Sequence, residues 1–163
     1  MGSTDFIIYL SVLLQIPMIL VQLFSCLEAD GIQDVYKRQV FIHSGHAPYA
    51  LPWGIALLAE RFPDVNIVMI HMGHGHGVYI DAALKMARRY SNLYLEMSGM
   101  PMNSKIKEAY KTVGSDRIFF GTDAPFHHPT IEMQKVITSG LTEKEIEDVF
   151  YNNLQKFMAQ YEK

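Results

Sequence analysis

His43, His71, Glu96 and Asp123 each stand at or just past the end of a short apolar run, 28, 25 and 27 positions apart. His43 opens His43-Ser44-Gly45 and His71 opens His71-Met72-Gly73. A neutral imidazole binds divalent ions, and the glycine lets backbone and substrate come close. A histidine satisfied by a backbone hydrogen bond fits each position equally well. Asp123, in Gly121-Thr122-Asp123, is a carboxylate where an apolar run emerges, suited to proton transfer or to capping the turn that follows. In Gly73-His74-Gly75-His76-Gly77 the two histidines have the spacing of a metal-binding pair, but the glycines make the loop equally suited to cradling a phosphate or substrate. His127 and His128 precede Pro129 and shape a turn. Cys26 has no activating neighbours and no serine lies in a Gly-x-Ser-x-Gly elbow, which disfavours covalent catalysis.

The elements that must position these residues alternate. Apolar runs at Val40 to His43, Asn66 to His71, Leu93 to Glu96 and Ile118 to Gly121 read as strands. Stretches with apolar residues three and four apart, Trp53 to Phe62, Tyr79 to Tyr90 and Ser104 to Val113, read as crossover helices. Thr130 to Ser139, Thr142 to Tyr151 and Leu154 to Gln160 follow as helices, and Thr142 with Glu145 predicts a capping box. This is an α/β chain whose strand-end loops share one face, the face that holds the chemistry in parallel barrels. Four βα units predict either a doubly wound sheet or half of an eight-stranded barrel, with open edges that recruit further copies.

The 163 residues are 49% hydrophobic and 19% charged, with a formal net charge of −3, which suits one globular domain over residues 40–163 in the cytoplasm. No run of Lys or Arg offers a footprint for nucleic acid, and the lone Cys26 excludes an internal disulfide. Residues 1–39 read differently. Phe6 to Phe24 is an uncharged run of membrane-helix length, interrupted by Gln15, Pro17 and Gln22. A membrane-anchored, noncatalytic domain is the corresponding alternative. Asp34 to Gln39 resembles the translated end of a transposon adapter used in shotgun library preparation, a second origin for the segment.

Four motifs in order carry a resemblance. They are His43-Ser44-Gly45, Phe62-Pro63-Asp64 leading to His71-Met72-Gly73, Asn92 to Gly99, and Asp116 to Phe126. From Val40 onward the chain resembles the amidohydrolase-related family of metal-dependent hydrolases, which are distorted TIM barrels. The resemblance implies strands five to eight of a (β/α)8 TIM-like barrel, with His43 as a metal ligand and His71 assisting the water. It implies Asp123 as both metal ligand and proton carrier. A bound metal, zinc by expectation, lowers the pKa of water to about 7. Hydrolysis of a small organic acid, ester or amide is the reaction implied. Decarboxylation of an aromatic or unsaturated acid is the alternative within the family, as in relatives similar to aminocarboxymuconate semialdehyde decarboxylase. The family's first strand supplies a His-x-His pair, and no histidine precedes His43; the two later pairs sit in the wrong loops to replace it. The expectation is a partial barrel that holds metal weakly and is inactive alone.

Overall fold

The computed structural model describes residues 39–161. The elements run β1 (Gln39–His43), α1 (Pro52–Arg61), β2 (Asn66–Ile70), α2 (Gly77–Arg89), β3 (Leu93–Glu96), α3 (Asn103–Thr112), β4 (Ile118–Phe119), α4 (Pro129–Ile137), α5 (Glu143–Glu147) and α6 (Asn153–Met158). A 3-10 turn, His71–Gly73, follows β2, and a π turn, Asp148–Asn152, joins α5 to α6. The four strands are parallel and lie in chain order, β1-β2-β3-β4. A doubly wound sheet reverses its order at a switch point, whereas uninterrupted order is the arc of a barrel. The sheet is therefore a partial barrel.

Side-chain alternation splits the core. Ile67, Met69, Leu93, Leu95 and Ile118 join Ile80, Leu84, Ile106 and Ala109 in the layer beneath the crossover helices. Val68 and Phe119 face the other way, with Phe41 and Tyr94, and are covered by Phe157 and Tyr161. At the base, Asn66 donates to the Tyr161 hydroxyl at 2.6 Å. Buried Asn92 donates to the carbonyls of Ala59, Phe62 and Val65 at 2.9 to 3.0 Å. Arg117 likewise donates to carbonyls of Ala87, Tyr90 and Leu93, and Asn153 to those of Ser115 and Ile118.

Two elements depart from expectation. β4 stops at Phe119 instead of reaching Gly121, because the Phe120 amide leaves the ladder and donates to Val149 on the π turn at 3.1 Å. The helix expected over Thr142 to Tyr151 is α-helical to Glu147 and then widens into that π turn, and its capping box is formed as expected. No helix among the described residues is long and apolar enough to cross a membrane. Phe6 to Phe24 and the adapter-like run up to Arg38 lie outside the described residues.

Candidate active site and metal centre

The strand ends converge because each strand hands over to a loop tied to its neighbour. Buried Ser44, just past β1, donates its hydroxyl to Ile70 at 2.6 Å and accepts the Gly73 amide at 2.8 Å, which draws the two histidine-bearing loops together. Gly45 has φ +94, and a Cβ there would collide with the Gly73 backbone, so only glycine permits the approach. Among the described residues, four with side chains adopt left-handed backbone: His71, Met72, His74 and Asp123. Each such conformation costs on the order of 1–3 kcal/mol and persists where the surroundings hold it, commonly at functional sites.

His43 and His71 come together, ring centroids 4.6 Å apart and edge to face. The cluster is larger than the sequence suggested. The His43 Nε2 is hydrogen-bonded to His46 Nδ1, His46 stacks on His74 at 4.7 Å, and His74 lies 5.5 Å from His71. His74 and His76 do not act as a pair, since His76 packs against Tyr79 at the start of α2. Asp123 faces His127, Oδ2 to Nε2 3.9 Å. The turn after Asp123 is closed by its carbonyl, which accepts the Phe126 amide, and by the Thr122 hydroxyl, which accepts that of Ala124. The turn expected of the later pair divides similarly: His128 caps α4 by accepting the Thr130 amide, whereas His127 reaches back into the site.

Burial pushes the His43 imidazole down to about 4, helped by the neighbouring His71, His46 and His74 and opposed by the Asp123 carboxylate. Burial lowers His74 as well, helped by His46, His71 and His127 and opposed by Asp123. His43 is therefore neutral at pH 7, the form that ligates metals. The alternative reading of His71 holds for one nitrogen only, since its Nδ1 lies 2.8 Å from the Ser98 carbonyl and 2.9 Å from the Ser98 hydroxyl. Glu132 on α4 is 1% exposed, ion-paired to Lys135 at 2.5 Å, and accepts the Gly99 amide at 3.1 Å. It also lies 3.6 Å from His127 Nδ1, giving Asp123, His127, Glu132 and Lys135 in series.

The donors suit a divalent ion in kind: a neutral imidazole at His43, a carboxylate at Asp123, and beside them the buried, unpartnered Nδ1 of His74. In number they fall short, since among the described residues no three His, Cys, Asp or Glu side chains are disposed to hold one ion. His46, His74, His127 and Glu132 escaped assignment from sequence; the histidine-rich loops were the one signal for the first three.

The amidohydrolase family model matches residues 34–157. An uncharacterised TIM-barrel protein of Bordetella bronchiseptica is 23% identical, with a TM-score of 0.64 over 75% of this chain and 46% of that one. The amidohydrolase 2 of Bifidobacterium longum subsp. infantis is 20% identical, TM-score 0.56, over 72% and 48%. A dihydroxybenzoic acid decarboxylase of Polaromonas sp. JS666, solved with manganese and the inhibitor 2-nitroresorcinol, is 19% identical, TM-score 0.51, over 70% and 42%. The chain thus spans about half the length of the solved structures it resembles, or less. No curated protein matches it. With its parallel strands in barrel order, its strand-end histidines and aspartate, and a family match over most of its length, the chain belongs to the amidohydrolase family.

Proposed function

We propose that the chain carries half of the active site of a metal-dependent enzyme acting on a small organic substrate, with hydrolysis as the reaction. The observation that carries this reading is the convergence of His43, itself neutral at pH 7, with His71 and Asp123 at the C-terminal ends of parallel strands. His43 and Asp123 would hold the ion, zinc or manganese, with the remaining donors from outside the described residues. When bound, a divalent ion supplies Lewis acidity and makes water nucleophilic near neutral pH. Asp123 would accept a proton on its carboxylate and return it to the leaving group. His71, its Nδ1 occupied by Ser98, presents Nε2 to orient the water and to stabilise developing charge. Decarboxylation is the second reading, favoured by the fold shared with the Polaromonas decarboxylase.

Equilibrium dialysis of the chain against Zn²⁺ and Mn²⁺ tests the ligand assignment. Weak binding is expected, lost in His43→Ala and retained in His71→Ala and His76→Ala. Equal binding by His43→Ala refutes it. In a barrel completed by the other four strands, Asp123→Asn should lower turnover at least ~100-fold with the fold intact, because the amide cannot take a proton and Asn tolerates left-handed backbone.

A further inference from the structure

We propose that Glu96 is a positioning residue, whose carboxylate fixes both the backbone and the tautomer of His71. The proposal rests on the reading above, in which the free nitrogen of His71 acts on water. Both oxygens of Glu96 are used. Oε2 accepts the His71 amide at 3.1 Å and the Ser98 hydroxyl at 2.8 Å, while Oε1 accepts the Ser98 amide at 2.7 Å. The Ser98 carbonyl can only accept, and the hydroxyl has already given its proton to Glu96. Both Ser98 oxygens therefore offer lone pairs to His71 Nδ1, at 2.8 and 2.9 Å. Nδ1 must carry the proton, so in the neutral ring the lone pair is left on Nε2.

Glu96 also restrains a strained residue. His71 has φ 66, which disfavours any side chain, and its amide is one of the groups the carboxylate holds. Room for that carboxylate comes from the next strand end, because a Cβ at Gly121 would collide with it. One side chain on β3 thus ties the loop after β2 to the loop after β3 and packs against the exit of β4. Burial raises the Glu96 carboxyl, and the three donors oppose that shift by favouring the charged form.

The test is long-range proton–nitrogen correlation of the metal-free, 15N-histidine-labelled chain at neutral pH, with His71→Gln assigning the signals. The wild type should show His71 with the proton on Nδ1. Glu96→Gln places an amide donor where Ser98 needs an acceptor, freeing the hydroxyl to turn toward Nδ1, so a mixture of tautomers is expected. Gly121→Ala expels the carboxylate without altering its chemistry and should give the same mixture. Cooperative unfolding is followed in parallel. A wild-type His71 protonated on Nε2 overturns the proposal by itself, as do folded variants that keep the single Nδ1–H form. If neither variant folds, Glu96 is an anchor of the fold and the positioning role is lost. The measurement needs no metal, so a failure of the ligand assignment in dialysis would leave this result standing.

Discussion

Gly99→Ala probes the crowded centre of the site with a single methyl group. Gly99 sits at φ +67, and a Cβ there would lie 3.2 Å from His74 Nδ1, 3.3 Å from His127 Nε2 and 3.4 Å from His71 Nδ1. Holding alanine in that left-handed conformation costs about 1–3 kcal/mol. The more restricted unfolded chain returns about 0.4–1 kcal/mol. The three imidazoles must each yield by a few tenths of an ångström, so the balance stays unfavourable, near 1–2 kcal/mol. At about 2–4 °C per kcal/mol for a chain of this size, the midpoint of thermal unfolding should fall by roughly 2–8 °C. Gly75→Ala is the matched control, because its Cβ meets nothing within 4 Å and its φ is not positive. It should be neutral or slightly stabilising. Urea and thermal unfolding by circular dichroism give the energies, and the imidazole signals of His71, His74 and His127 should move in Gly99→Ala alone. Equal stability of the two variants would refute the reasoning, since it would mean that neither the backbone angle nor the imidazole contacts constrain position 99.

Further outcomes follow from charge. The folded-state pKa of His43 lies at about 4, below the 6.5 of the unfolded chain, so the unfolded state binds more protons between those values. Stability should be lost as pH falls from about 6.5 toward 4, and a urea-midpoint series should show a smaller slope in His43→Gln; an unchanged slope refutes the assignment to His43. Lys135→Met leaves Glu132 buried without its cation and removes the bond from Lys135 to the Met100 carbonyl, 2.8 Å. A loss of about 3 kcal/mol is expected in denaturant unfolding, partly recovered by adding Glu132→Gln, whereas a loss no greater than that of an exposed ion pair would contradict the burial argument.

The frame of the molecule was legible because periodicity reports which face of an element is buried. The apolar runs ending at His43 and Glu96 give β1 and β3 to within one residue, and the alternation of Leu93 and Leu95 with Tyr94 matches the two core layers. The π turn was not legible, since one extra residue in a helical turn leaves its pattern nearly unchanged, and the early end of β4 depends on that turn. In the site, strand-end position singled out His43, His71, Glu96 and Asp123. The roles of Glu96 and Glu132 depend on hydrogen bonds to amides distant in sequence, for which residue type carries no mark. His127 looked like a turn residue because Pro129 follows it, yet only His128 caps the helix.

The polar side chains that stitch the base and the mouth differ in kind. At the base, Asn92, Arg117 and Asn153 present N–H groups to carbonyls, several of them at the C-terminal ends of α1, α2 and α3. At the mouth, Glu96 and Glu132 present carboxylate oxygens to the amides of His71, Ser98 and Gly99. A parallel βα chain points every crossover helix the same way, so its peptide dipoles leave partial negative charge below the sheet and partial positive charge above it. That field favours one sign of charge at each end without any pairwise contact. It makes acidic groups inexpensive where the strands end and cationic groups inexpensive where they begin. An acid-bearing small molecule entering the mouth meets a potential that the backbone supplies before any side chain is chosen to receive it.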